Sequence, residues 1–85
     1  MSYSIKWTPL ALNELENFPG DIIERIINKV ENLKDDPFHY LEHYEGAKVY
    51  KLRIGDYRAL IDVDFSNKIL TVRIVGHRKN IYKKF

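Results

Sequence analysis

The segment VYKLRIGDYRALI, residues 49–61, constrains the fold of this chain more than any other feature of the sequence. Val49 to Ile54 alternates between apolar and polar side chains with the period of two that is typical of a strand, and Tyr57 to Val63 does the same. The intervening Gly55-Asp56 places glycine first in a two-residue loop, which favours a type II′ turn. The segment therefore predicts an antiparallel β-hairpin.

The register of this hairpin brings two arginines together. With a two-residue loop, Arg53 pairs directly with Arg58, and like charges opposite each other on a sheet are unfavourable. We therefore expect an external anion such as phosphate to complete the site. On this hypothesis, replacing Arg58 by alanine relieves the repulsion, so that the stability of the free protein stays unchanged or rises slightly.

Two helices are predicted before the hairpin. Thr8 suits an N-cap, Pro9 suits the first helical position, and Pro19-Gly20 breaks this helix. Asp21 and Glu24 have the spacing of a capping box at the start of a second helix, which ends at the sequence DDP at 35–37. The apolar stripes comprise Ala11, Leu12, Leu15 and Phe18 in the first helix, and Ile22, Ile23, Ile26, Ile27, Val30 and Leu33 in the second.

Strands flank the helical pair and complete the order β-α-α-β-β-β. Residues 2–7 alternate as a first strand, and residues 68–75 as a last strand that Gly76 closes. We therefore predict one α+β domain over residues 1–85, with a helical hairpin packed on one face of a mainly antiparallel four-stranded sheet. The side chains expected to face the helices are Tyr50, Leu52, Ile54, Tyr57, Ala59, Ile61, Val63, Leu70, Val72 and Ile74.

Charge is divided unevenly along the chain. Residues 1–47 carry four basic and nine acidic groups, a net of −5, whereas residues 48–85 carry ten basic and three acidic groups, a net of +7. A basic half of this kind points to a polyanionic partner, with a solubilising surface as the alternative. The predicted basic face of the sheet carries Lys51, Arg53, Arg58 and Arg73, with His77 and Arg78 just past the last strand.

Several classes of protein and site are excluded or disfavoured. The chain has no cysteine, so it forms neither disulfides nor thiolate metal sites. It lacks the pattern of a signal peptide and any apolar run of membrane-spanning length, and we expect a soluble protein of the cytoplasm. The sequence HYLEH at 39–43 matches an inverted zincin pattern, but it follows the helix-ending DDP, so no metal site is predicted.

Two runs of sequence resemble a known family. KVYKLRIGDYRALI, followed one strand later by VGHRKNIY, is similar to the RelE/ParE superfamily of toxins, and to archaeal RelE-like toxins in particular. The resemblance covers nearly the whole chain, including the order of its elements.

The resemblance implies the toxin of a type II toxin–antitoxin system, an mRNA interferase that cleaves mRNA in the ribosomal A site without a cofactor or metal. The implied partners are a cognate RelB-like antitoxin, forming a heterotetramer, together with the ribosome and mRNA, and no membrane. Two alternatives stay open: a ParE-like inhibitor of DNA gyrase without nuclease activity, because both branches share the GDYR motif, and a degenerate member that only binds its antitoxin.

The resemblance also assigns roles to individual residues. Lys51 matches the first basic residue of the family's active site, and Arg53 stands where the bacterial prototype has a second lysine. Arg58 and Arg78 match its two arginines, and Tyr82 corresponds to its C-terminal tyrosine. The implied catalytic set is Lys51, Arg53, Arg58, Arg78 and Tyr82. Beyond what the resemblance implies, we predict that Lys48, Arg73, His77 and Lys79 bind RNA.

Metal-free RNA cleavage, in which the 2′-OH attacks the adjacent phosphorus, sets requirements for these residues. It needs a proton acceptor for the 2′-OH, cations for the developing phosphorane charge and a proton donor for the leaving 5′-oxygen. Arginine is effectively always protonated, so the three arginines stabilise charge rather than accept protons. Lys51 could act as a base only where neighbouring cations favour its neutral form. The sequence leaves the general base and the general acid unassigned.

Overall fold

A five-stranded sheet carries the helices in the computed structural model, which describes residues 2–44 and 49–81. The strands lie in the order β1-β5-β4-β3-β2, with β1 parallel to β5 and the other neighbours antiparallel. The predicted α+β class is thereby confirmed. In chain order the elements are β1 (Ser4–Trp7), α1 (Pro9–Glu16), α2 (Gly20–Glu31), α3 (Pro37–Tyr40), β2 (Glu42–His43), β3 (Tyr50–Ile54), β4 (Tyr57–Asp64) and β5 (Ile69–His77).

The predicted count of four strands is wrong, because β2 adds a fifth at the edge of the sheet. This strand has two residues, Glu42 and His43, which pair with Lys51 and Tyr50 of β3. Two residues are too few to display a period of two, so the sequence pattern cannot reveal such a strand.

Local signals define the start of α1 but not that of α2. The hydroxyl of Thr8 accepts a hydrogen bond from the backbone N–H of Ala11 (3.1 Å) and donates one to the carbonyl of Arg73 in β5 (2.8 Å), which confirms the predicted N-cap. The predicted capping box at Asp21 is wrong, since α2 begins at Gly20 and its N-cap, Pro19, makes no side-chain hydrogen bond. Asp21 lies instead in the first turn, where a carboxylate suits the helix dipole.

The main core lies between the helices and one face of the sheet. Part of the predicted stripe of α1 is absent from it, because Leu12 is 46% exposed. Phe18 packs at the rim of this core, with its ring 5.1 Å from that of Tyr57. The buried members are Tyr3, Ala11, Leu15, Ile26, Val30, Leu33, Leu41, Leu52, Ile54, Ala59, Ile61, Leu70, Val72 and Val75.

A β-bulge in β5 changes which side chains face the helices. Leu60 of β4 pairs with Ile74, whereas the next residue, Ile61, pairs with Val72, so Arg73 is an extra residue in β5. Beyond the bulge the alternation is inverted. Ile74 therefore lies on the face away from the helices, and the prediction that it joins the main core is wrong; Val75 takes that place.

The face away from the helices carries a small apolar cluster of its own. Leu60, Ile74 and Ile81 are buried there, with Tyr44 packed against them. Ile81 follows β5, so the chain folds back over this face after the last strand. Within the described ranges, no helix is both long enough and apolar enough to cross a membrane.

Candidate functional site

The hairpin loop, Gly55-Asp56, is the centre of the candidate site. The register around it is as predicted, with Ile54 paired to Tyr57 and Arg53 paired to Arg58. Gly55 has a φ of 60°, whereas Asp56 is not among the residues with positive φ, as a type II′ turn requires. The strands therefore project the two arginines from neighbouring positions on the face away from the helices.

Arg58 is held rigidly beside the hairpin loop. Its side chain is largely buried, with 9% of the residue exposed. Nη1 donates hydrogen bonds to the carbonyl oxygens of Gly55 (2.6 Å) and Tyr57 (2.7 Å). The residue of β5 that pairs with Arg58 is Gly76, which has no side chain. Carbonyl contacts hold this guanidinium without neutralising it.

The Arg53–Arg58 pair lacks a counter-charge in the part of the chain that the structure describes. The ion pairs there join Lys34 to Glu31, Lys51 to Glu42, Arg73 to Asp62 and Arg78 to Asp56, and none of them includes Arg53 or Arg58. Arg53 is exposed, so a ligand can reach its guanidinium. The geometry suits an anion that bridges the two side chains, because a planar guanidinium matches phosphate oxygens.

Arg78 is brought to the same loop by the backbone. Its N–H donates a hydrogen bond to the carbonyl oxygen of Asp56 (2.8 Å), and its Nε lies 3.8 Å from Oδ1 of the same residue. Both side chains are exposed, so this ion pair is weak and open to exchange. Arg53, Arg58 and Arg78 therefore all lie at the hairpin loop.

Lys51 extends the site along β3. It lies two residues before Arg53, and its Nζ is 3.5 Å from Oε2 of Glu42 in β2. Sequence reasoning missed Glu42, because only the pairing of β2 with β3 places the carboxylate beside the lysine. An RNA phosphate that binds Lys51 has to compete with this carboxylate.

The other predicted site residues are dispersed. Arg73 lies at the bulge, where Nη1 donates to the carboxylate of Asp62 (2.9 Å), and it does not reach the hairpin loop. Lys79 is exposed in the turn that follows β5. Lys48 and Tyr82 lie outside the described residues.

The predicted position of His77 is wrong. The residue lies within β5, not past its end, and the bulge turns its side chain to the helical side of the sheet. There the centre of its ring lies 5.6 Å from the centre of the Tyr57 ring, and its Nδ1 accepts a hydrogen bond from the N–H of Lys79 (3.1 Å).

The described ranges contain no cluster of three or more His, Asp and Glu side chains that could hold a metal. Of the HYLEH run, His39 lies in α3 whereas Glu42 and His43 lie in β2, so the run does not share one helix.

Comparison with known proteins agrees with this fold and these motifs. Over residues 5–82 the chain matches the family described as the ParE toxin of the type II toxin–antitoxin system parDE. RelE1 of Methanocaldococcus jannaschii, provisionally named a toxin, is 24% identical over 88 residues, covering 98% of this chain and 98% of that protein.

Two solved structures illustrate the similarity of the fold. The RelBE2 toxin–antitoxin complex of Mycobacterium tuberculosis matches with a TM-score of 0.83 and 23% identity, over 92% of this chain and 100% of that chain. The archaeal RelE–RelB complex of Pyrococcus horikoshii matches with a TM-score of 0.79 and 22% identity, over 92% of this chain and 97% of that chain. The resemblance predicted from the two sequence runs is thus confirmed. The chain belongs to the ParE toxin family within the RelE/ParE superfamily, and it is the toxin of a type II toxin–antitoxin system.

Proposed function

We propose that this toxin is a ribosome-dependent endoribonuclease that cleaves mRNA in the A site without a metal. The observation that carries the proposal is the Arg53–Arg58 pair at the hairpin loop, which lacks a counter-charge within the described residues and has Arg78 beside it. A phosphodiester of the mRNA supplies that counter-charge. The substrate's own 2′-OH then attacks the adjacent phosphorus and releases its proton to solvent, the bond from phosphorus to the 5′-oxygen breaks, and that oxygen takes up a proton.

The three arginines have different tasks in this mechanism. Arg58 is already fixed by two carbonyls, so it can stabilise the phosphorane charge with little reorganisation. The exposed Arg53 grips the phosphate as a planar fork. Arg78, loosely paired with Asp56, exchanges that carboxylate for a phosphate oxygen.

Lys51 and Tyr82 complete the proposed catalytic set. Lys51 neutralises charge on the substrate once it leaves Glu42, and Tyr82 stacks on a base or donates a proton to the leaving oxygen. The ribosome aligns the 2′-OH with the scissile bond, since positioning of this kind lowers the barrier without any further group from the toxin.

Lys48, Arg73, His77 and Lys79 are proposed to contact RNA outside the reacting phosphate. For His77 such contact would come around the end of the sheet, because its ring lies on the helical side.

The proposed assembly is supported by solved structures of similar proteins that are toxin–antitoxin complexes. We propose that residues 1–85 act as one domain in the cytoplasm, with a cognate RelB-like antitoxin that forms a heterotetramer with the toxin. Coverage of the basic face or displacement of the C-terminal residues by this antitoxin would suppress the activity. Co-expression that leaves cleavage intact would contradict this part of the proposal.

The direct test is cleavage on programmed ribosomes. Purified toxin is added to ribosomes stalled with a defined A-site codon, and primer extension maps any cut. We expect a cut within that codon, a 2′,3′-cyclic phosphate or 3′-phosphate end, and no effect of EDTA. Absence of a cut at toxin concentrations that saturate the ribosome would overturn the proposal.

A second candidate is inhibition of DNA gyrase. The observation that favours it is the match to the ParE toxin of parDE over residues 5–82. A supercoiling assay at the same protein concentrations separates the two functions. Inhibited supercoiling without an A-site cut would assign the toxin to the ParE branch.

A further inference from the structure

Arg25 approaches the hairpin loop from the helical side. Its Nη1 lies 3.5 Å from the position that a Cβ on Gly55 would occupy. The carbonyl of the same glycine accepts the hydrogen bond from Nη1 of Arg58, at 2.6 Å. Gly55 therefore lies close to two guanidinium groups, one from α2 and one from the sheet.

The side chain of Arg25 does not make the ion pair that its helix offers. Asp21 lies four residues earlier, a spacing at which opposite charges normally pair on a helix. Within the part of α2 and the sheet that the structure describes, Arg25 nevertheless has no ion-pair partner. The residue is exposed, so its charge is available to a ligand.

The charge pattern along the chain does not predict Arg25 at this site. It belongs to residues 1–47, whose net charge is −5, and the RNA-binding character was assigned to the other half of the chain. The turn of α2 that carries Arg25 faces the hairpin loop only in the folded protein. Like Arg53 and Arg58, it makes no ion pair with a carboxylate of the described residues.

Resting on the proposed function, we propose that Arg25 is a further RNA-binding residue, which holds a backbone phosphate next to the scissile one. The bound strand then passes around the hairpin loop from the Arg53–Arg58 face to α2. Summed bond lengths along Gly55 place the two guanidinium groups at most about 10 Å apart, so one short stretch of RNA reaches both.

The test compares Arg25→Met with Lys29→Met. Methionine keeps a long aliphatic chain against Gly55 while removing the charge. Lys29 is one turn further along α2, with its Nζ 6.0 Å from the ring of Tyr40, so Lys29→Met removes the same charge from the same helix away from the loop. Binding of a short fluorescent single-stranded RNA is measured by anisotropy over a series of salt concentrations.

For Arg25→Met we expect RNA binding about tenfold weaker than for the wild type, as for the loss of one charged contact. The slope of log K against log salt should decrease in magnitude by about 0.7, the value for one phosphate on a single strand. Lys29→Met should keep the wild-type slope, and Arg25→Lys should recover most of it. Thermal melting checks that all the variants are folded.

Three results would overturn the inference. They are a wild-type salt slope for Arg25→Met, an equal loss of RNA affinity in Arg25→Met and Lys29→Met, or no RNA binding by the wild type. Cleavage on programmed ribosomes separates this outcome from that of the proposed function. A wild type that cuts, with Arg25→Met equally active and binding equally well, refutes only the role of Arg25. A wild type that binds RNA through Arg25 but does not cut refutes only the nuclease.

Discussion

Arg58 shows how a single residue can have a different energetic role from the one its neighbours in the sequence suggest. The pairing with Arg53 alone predicts that Arg58→Ala is neutral or stabilising, because cross-strand repulsion costs up to about 1 kcal/mol. In the structure the guanidinium is nearly buried and satisfies the carbonyls of Gly55 and Tyr57. These hydrogen bonds should outweigh the repulsion.

We therefore expect Arg58→Ala to lower the free energy of unfolding by about 1.5–3 kcal/mol, the net contribution of hydrogen bonds made by a charged group. Ribosome-dependent cleavage should fall by roughly 100-fold or more, as when a charge-stabilising donor is removed. Urea denaturation and primer extension measure the two effects. Arg53→Ala is the matched control, since it removes the other charge of the pair from an exposed site and should leave stability nearly unchanged. Equal stability of the two variants would contradict this account.

Lys68 carries backbone strain at the turn between β4 and β5. Its φ of 57° is unfavourable for a residue with a Cβ, although its Nζ lies 5.1 Å from the centre of the Tyr3 ring. Relief of the strain, about 1–2 kcal/mol, should exceed the exposed cation–π contact, about 0.5–1 kcal/mol. We expect Lys68→Gly to raise the melting temperature and Lys68→Ala to lower it. The opposite order would show that the contact with Tyr3 dominates.

Asp64, the last residue of β4 before the same turn, should confer a dependence of stability on pH. Its carboxylate accepts hydrogen bonds from the side-chain amide (2.9 Å) and the backbone N–H (3.0 Å) of Asn67, which lower its pKa below the usual 3.8. Because the folded pKa is lower than the unfolded one, the stabilisation is complete above the unfolded value and is lost as the pH falls through the folded value. NMR titration of the Asp64 carboxyl carbon should show the lowered pKa in the wild type and a pKa closer to 3.8 in Asn67→Ala. An unchanged pKa in that variant would exclude the side-chain amide as the cause.

At the scale of elements, the edge strand β2 places a carboxylate beside the site. Glu42 pairs with Lys51 through this two-residue strand, and both side chains are partly exposed. An ion pair of this kind contributes at most about 1 kcal/mol, so its loss should have a small effect on stability.

We expect Glu42→Gln to tighten RNA binding by no more than about fivefold, because Lys51 no longer has to exchange partners. Asp62→Asn, which frees Arg73 at the bulge, is the matched control and should have a smaller effect because that pair lies away from the hairpin loop. Anisotropy with single-stranded RNA measures both. If Glu42→Gln abolished cleavage and left RNA binding unchanged, Glu42 would instead be a general acid or base.

The bulge of β5 changes which side chains at the end of this strand face the helices. By adding Arg73 to the strand it turns Ile74 away from the helices and His77 toward them. A strict alternation of apolar and polar residues contains no sign of such an insertion, since Leu70, Val72 and Ile74 continue the period without a break. The hairpin had no such ambiguity, because its two-residue loop determines the register.

At the scale of the whole molecule, a site whose described residues supply cations but no assigned general base should depend on the ribosome. Free RNA should bind weakly, with an affinity that falls steeply as salt rises, because each neutralised phosphate adds about 0.7 to the slope. It should be cut slowly or not at all, whereas ribosome-bound mRNA should be cut in the A site. Rapid cleavage of free RNA would show that the toxin carries a complete catalytic apparatus of its own.

The sequence alone determined the features whose cause is local. The period of the hairpin strands, the glycine at positive φ in the loop and the cap of Thr8 each depend on residues a few positions apart, and all three are found in the structure. Tertiary structure alone decided the parallel pairing of β1 with β5, the edge strand β2 and the approach of Arg25 to Gly55. These features join segments that are distant in sequence, and their geometry follows from how helices and strands pack together, which no local pattern encodes.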